Sequence, residues 1–302
     1  VYAIAPEPPL GPPMAPSRRE RPRRSRLYLP GNESKYMLNA AVHRPDAVIL
    51  DLEDSVAPAA KHDARSVVRH ALHRLDRGGC ERMVRINQGQ AGFDDLAGLG
   101  DAPFHLLLVP KVESADELRA LDEVCGDREL LFMPILESAR GVMNAMEIAA
   151  ASPRNVALTL GLEDLTADLG VAKTRGGEET RWACSQVIYA AKAHGLQAID
   201  SVYGDVGDED GLRESLRLAK AMGFEGKGCV HPRQIRVVHE ELRPSEAELE
   251  RARKIVAAFE QAEAQGLGVV SIGSKMIDPP VVKRALKMVS GSFEESGEED
   301  DR

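Results

Sequence analysis

No apolar run in the sequence approaches the ~20 residues needed to cross a bilayer, which argues against a membrane-spanning helix. Nor is there a surplus of positive charge: 39 Lys and Arg stand against 48 Asp and Glu, a net charge of −9, which argues against a general nucleic-acid binder. The four cysteines, Cys80, Cys125, Cys184 and Cys229, are widely spaced and form no CxxC pair. Unpaired thiols in a reduced, cytoplasmic protein are the natural expectation. None of them has a histidine–aspartate arrangement nearby that would mark a nucleophile. The segment GFEGKG, Gly223 to Gly228, lacks both the spacing of a P-loop and the Ser/Thr after its lysine. No repeat of 20–50 residues appears.

What the 302 residues do contain is an ordinary globular composition, 43% hydrophobic and 29% charged. Residues 1–23 are rich in proline and then arginine and read as a disordered extension. Pro8, Pro9, Pro12 and Pro13 oppose the amphipathic helix that an organelle-targeting segment, the alternative, would need. Residues 293–302 read as an acidic disordered tail. Between the tails, eight short apolar runs (26–30, 47–52, 82–87, 105–111, 130–136, 156–161, 197–202 and 226–231) alternate with stretches of helical period. Those stretches fall at 34–42, 59–75, near 94–99, at 114–124, 139–150, 179–194 and 208–222. Two further helices, 245–265 and 280–289, follow the last strand.

Strands alternating with helices pair in parallel through right-handed crossovers. Eight such units favour an α/β fold of the closed (β/α)8 TIM-barrel type over an open sheet. The barrel is expected over 24–240, with a helical extension over 241–292.

In such a barrel the C-terminal strand ends build the active site. The second run ends in Asp51, Glu53 and Asp54, the third in Arg85 and Asn87, and the fourth in Lys111 and Glu113. The fifth ends in Glu137 and the sixth in Glu163 and Asp164. Polar groups thus gather at one rim of an apolar cylinder. Glu137 and Asp164, on neighbouring strand ends, are oxygen donors of the kind Mg2+ accepts; alternatively they cap the helices that follow. Arg85, between Val84 and Ile86, should point towards the barrel axis. There it either pairs with the acids or grips a substrate carboxylate.

The segments RRSRLYLPGN, VILDLEDSV, VRIN, VPKVES, PILESARG, LGLEDLTADLG, GFEGKGCVHPRQI and GSKMIDPPVVKRAL occur in order. In this the chain resembles the citrate lyase β-subunit-like proteins of the HpcH/HpaI aldolase family, relatives of the malyl-CoA lyases. The resemblance implies a Mg2+-dependent TIM-barrel lyase that cleaves a 3-hydroxy-acyl thioester into acetyl-CoA, or an acyl-carrier equivalent, and a 2-oxo acid such as oxaloacetate or glyoxylate. It implies Glu137 and Asp164 as metal ligands, Arg85 as the carboxylate-binding arginine, and Glu53 as an acid near the metal waters. It further implies Asp278 of KMID as a residue reaching a neighbouring subunit's active site, in a homotrimer or hexamer. Arg24, Lys35 and the segment around His231 and Pro232 fall in regions that line the thioester-carrier pocket of the family. A malyl-CoA-type thioesterase, a pyruvate-type class II aldolase and a non-catalytic β subunit of a citrate lyase complex are the alternatives.

Overall fold

The computed structural model describes residues 19–74, 78–264, 270–272 and 275–300. Residues 1–18 of the Pro/Arg-rich extension, and the last two of the acidic tail, lie outside them. The chain divides into two compact units after Leu242.

The first unit is a closed barrel of eight parallel strands. They are β1 (Ser25–Pro30), β2 (Ala47–Asp51), β3 (Glu81–Arg85), β4 (Leu106–Val109), β5 (Leu131–Leu136), β6 (Ala157–Leu160), β7 (Gln197–Asp200) and β8 (Gly226–Cys229). Each pairs with the next, and β8 closes on β1 through Ser25–Lys227, Arg26–Gly228 and Leu27–Cys229. This is the expected (β/α)8 barrel.

Strand alternation separates two apolar layers. Val48, Leu50, Val84, Leu107, Phe132 and Leu158 belong to the large core beneath the helices. Ala47, Ile49, Met83, Leu106, Leu108, Met133 and Ile135 fill the barrel itself. The inward series of β2 continues from Ile49 to Asp51, and that of β3 from Met83 to Arg85. In β1 the same face carries Arg26 and Tyr28. The inward-facing arginine at position 85 is therefore where alternation placed it.

The local reading departs from the structure in several places. The helix expected over 139–150 is two, Ala139–Met143 and Ala145–Ala150. The short helices Leu162–Asp168 and Arg233–Leu242 were not anticipated, because seven and ten residues offer few turns over which a 3.6-residue period can be recognised. Order begins before residue 24: Arg23 is buried and joined to Glu81. In the second unit, the helix Pro279–Asp300 runs on through most of the acidic stretch read as a disordered tail.

That second unit contains helices Glu246–Ala264 and Pro279–Asp300 and an antiparallel hairpin, β9 (Val270–Ile272) with β10 (Lys275–Ile277). Ala252, Ile255, Val282 and Ala285 form its small core. No helix among the described residues is long and apolar enough to cross a membrane.

Candidate active site

The first acid of the run Asp51-Leu52-Glu53-Asp54 is the last residue of β2, in register with Arg85, the last of β3. The Arg85 guanidinium donates from Nε to Asp51 Oδ1 and from Nη2 to Oδ2, both at 2.7 Å. Asp51 also accepts the backbone N–H groups of Glu53 (2.9 Å) and Ser55 (3.2 Å), which folds the chain sharply at the strand end. Burial would push the Asp51 carboxyl up, but the Arg85 hydrogen bonds and charge outweigh it and hold it below the usual range. The same partners keep Arg85 charged against its burial.

Glu53 is 5% exposed, and both of its oxygens meet cations. Oε2 lies 2.9 Å from Arg85 Nη1, and Oε1 accepts from Lys111 Nζ at 2.7 Å. Glu53 therefore joins two cations at the rim. Arg85 has given two of its five N–H donors to Asp51 and faces Glu53 with Nη1 in an ion pair, so a grip on a substrate must use the donors that Asp51 does not hold.

Glu137, immediately after β5, is placed differently. It too is 5% exposed. Its Oε1 accepts the Lys111 backbone N–H at 2.7 Å. Lys111 makes this contact from a left-handed conformation, φ 52°, uncommon for a side chain-bearing residue. Gly161, after β6, supplies the space: a Cβ there would come within 2.3 Å of Glu137 Oε2. Among the described residues, no cation pairs with Glu137. Burial, with the neighbouring charges of Asp164 and Glu53, outweighs the Lys111 hydrogen bond and Arg85, and pushes this carboxyl up to about 8. Asp164 lies in the first turn of the helix Leu162–Asp168, exposed to solvent. Neither acid caps a helix: Ser138 caps the helix after Glu137, and Gly161 stands at the N-cap before Asp164.

Glu137 and Asp164 line one open cavity of about 440 Å³, together with Asp51, Arg85, Tyr28 and Arg26. Among the described residues, no three His, Cys, Asp or Glu side chains converge as a ready-made metal cage. Two carboxylates beside open space are nevertheless a fit for Mg2+, which keeps several waters and takes one or two protein oxygens. A buried carboxylate without a counter-charge is the feature such an ion would relieve.

The other anticipated residues are dispersed. Lys35, on the helix Ser34–Leu38 after β1, is exposed and paired with Glu33 at 3.1 Å. Pro232 is half-buried between β8 and the helix Arg233–Leu242. Arg24 is a correction: it precedes β1 at the N-terminal end of the barrel, where it pairs with Asp46 at 3.0 Å, so it belongs to the end opposite the cavity. Asp278 heads the helix Pro279–Asp300 in the second unit, exposed, with its backbone carbonyl accepting from Val281 and Val282. Among the cavity residues that escaped the sequence reading are Arg26 and Tyr28. Their alternation with Leu27 and Leu29 in RLYL was the available signal.

The model of the HpcH/HpaI aldolase/citrate lyase family matches residues 24–232. The citrate lyase subunit beta of Leuconostoc mesenteroides is 36% identical over 281 residues, covering 89% of this chain and 93% of that one. A (3S)-malyl-CoA thioesterase of Cereibacter sphaeroides is 38% identical over 259 residues, 85% of this chain and 90% of the other. Among solved structures, protein CitE of Mycobacterium tuberculosis in complex with magnesium, acetoacetate and coenzyme A superposes with a TM-score of 0.75. It is 34% identical, over 90% of this chain and 98% of that one.

Proposed function

Because the chain belongs to the HpcH/HpaI aldolase/citrate lyase family, we propose that it is a Mg2+-dependent carbon–carbon lyase. Its substrate would be a 3-hydroxy-acyl thioester such as citryl-CoA or malyl-CoA, and its products acetyl-CoA and a 2-oxo acid, oxaloacetate or glyoxylate. The observation that carries this reading is Glu137, a buried carboxylate without a counter-cation, with Asp164 beside it in an open cavity. Related proteins that bind magnesium and coenzyme A, or act as citrate lyase subunits, support it.

Glu137 and Asp164 would hold the Mg2+, which when bound supplies a Lewis acid for the hydroxyl and carbonyl oxygens of the substrate. Arg85 would meet a substrate carboxylate with N–H groups that Asp51 does not hold, kept in place by Asp51 and Glu53. Lys111 serves the site twice: its backbone orients Glu137 and its ammonium fixes Glu53. Cleavage requires the hydroxyl proton to leave as the C–C bond breaks, and the thioester enolate carbon to gain one. We assign that exchange to the Asp278 carboxylate of a neighbouring subunit in a homotrimer or hexamer. Lys35 and Pro232 are assigned to the thioester carrier, CoA or an acyl-carrier protein. Four free, buried cysteines fit a reducing, cytoplasmic setting.

The test is to incubate the purified protein and Mg2+ with a panel of 3-hydroxyacyl-CoAs. Acetyl-CoA appearing in step with a 2-oxo acid supports the lyase. Free CoA with an intact hydroxy acid would replace it with the thioesterase reading, which the Cereibacter sphaeroides relative favours. Release of neither product would overturn both. The Asp278 assignment has its own check: mixing Asp278→Ala with Glu137→Ala subunits, each inactive alone, should restore activity once subunits exchange.

A further inference from the structure

The barrel interior contains a second guanidinium, and its circumstances are the reverse of Arg85's. Arg26 is 1% exposed, on the inward face of β1, one inward position below Tyr28. It forms no ion pair with any described residue. Its Nη1 lies 2.9 Å from the Met133 thioether, a weak acceptor, and its Nη2 lies 3.3 Å from the Asp200 carbonyl oxygen. Its Nε has no partner at all.

The acids nearby are already committed. The Asp200 carboxylate is bound by Lys227 and the Ser201 N–H. Asp51 is held by Arg85. Burial keeps the Cys229 thiol and the Tyr28 phenol protonated, the first pushed up to about 12. An arginine does not escape by releasing its proton, because guanidinium stays charged in proteins. A buried cation without a partner is costly, and chains rarely keep one without use. This one lines the same cavity as Glu137 and Asp164.

We propose that Arg26 is a specificity-determining residue: the receptor, at the floor of the cavity, for the second carboxylate of a dicarboxylic 2-oxo acid. The charge and its lack of a partner are independent of the proposed lyase activity, but the identity of the ligand rests on that reading. Glu137 and Asp164, which would hold the metal, lie at the strand ends, where Arg85, itself paired with Asp51 and Glu53, would meet one carboxylate. Arg26, deeper on the inward face of β1, lines the same cavity without an anion of its own among the described residues, so a second carboxylate gains a counter-ion there. A 2-oxo acid with one carboxylate has nothing to offer Arg26; one with two fills it.

Oxaloacetate and pyruvate differ by that one carboxylate. Calorimetric titration of each into the protein with saturating Mg2+ is the direct test, and it does not depend on turnover. Wild type should bind oxaloacetate roughly tenfold or more tightly than pyruvate, as expected for a charge-assisted contact. Arg26→Met should bind the two within about threefold of one another, with pyruvate affinity unchanged, and should melt no lower than wild type because the uncompensated charge is gone. Arg26→Lys should keep part of the preference; Arg26→Gln replaces the Met variant if that one does not fold. An undiminished preference in Arg26→Met, or a wild type that binds the two acids equally, overturns the inference while leaving the lyase reading intact. A wild type that binds neither acid overturns the inference and the lyase reading together.

Discussion

At the N-terminal end of the barrel, Arg23 meets Glu81 with two hydrogen bonds of 2.7 Å, both side chains fully shielded from water. Arg23 Nη1 also donates to Gln197 at 2.8 Å, which ties the starts of β3 and β7 together. Arg24 pairs with Asp46, and Ser25 meets His239. At the C-terminal end, Asp51 and Arg85 are matched as closely, but among the described residues Glu137 has no cation and, deeper in the cavity, Arg26 has no anion. Both ends are rich in buried charge. What separates them is compensation: a charge answered within the chain holds the fold, whereas an unanswered one is kept at the fold's expense and is available to a ligand.

The comparison is broken most severely at the closed end. Glu81→Ala leaves Arg23 buried without its carboxylate and should cost about 3–5 kcal/mol. Urea unfolding should show this loss, while turnover per folded molecule stays within twofold of wild type, roughly the scatter of such rates.

At the open end the pattern should invert. Glu137→Gln and Asp164→Asn should each lower turnover by roughly a hundredfold or more, since Lewis-acid stabilisation is worth several kcal/mol. Melting temperature in metal-free buffer should hold or rise. Loss of stability comparable to that of Glu81→Ala would place Glu137 among the structural charges.

The pH dependence of metal-free stability sharpens the same contrast. Folded Glu137 keeps its proton to about pH 8, whereas an unfolded glutamate releases it near 4.5. The folded state therefore binds more protons between these limits, and stability falls as pH rises through the window. Glu137→Gln removes that slope. Its advantage over wild type should be negligible at pH 4.5 and reach about 4 kcal/mol by pH 8, read from urea midpoints in EDTA.

The smallest expected effect concerns the seat of Glu137. Gly161→Ala would place a methyl group against Glu137 Oε2 and Cβ, so the carboxylate must shift. Mg2+ affinity should weaken by about tenfold, as for other groups that orient a ligand, and the melting temperature should fall as well because Glu137 Cβ cannot swing aside. Calorimetric titration with Mg2+ reads it; an unaltered affinity would mean the metal does not engage Glu137.

The rim was legible in the sequence because a parallel barrel strand is short, apolar and directional. Once Ala47–Asp51 and Leu131–Leu136 read as strands, the acids that follow had one end of the barrel to occupy. Arg85 was placed inward by its neighbours Val84 and Ile86. The same rule applied to RLYL would have turned Arg26 and Tyr28 inward, but a single arginine at a strand start resembles a solvated end. Arg24, two positions earlier, shows the cost of reading position without direction: residues just before and well within the same strand serve opposite ends of the molecule.

By itself, the sequence determined the eight alternating units, the closed parallel sheet and the polar groups that follow strands two to six, because strand and helix periods are set by neighbours a few residues apart. Only the tertiary structure decided which charges are answered. Glu137 is oriented by a backbone N–H 26 positions away, and Glu53 is met by a lysine 58 positions away. Arg26 lies against Met133 and Asp200, 107 and 174 positions away. Compensation of buried charge is a property of groups brought together by barrel closure, and no local pattern along the chain encodes it.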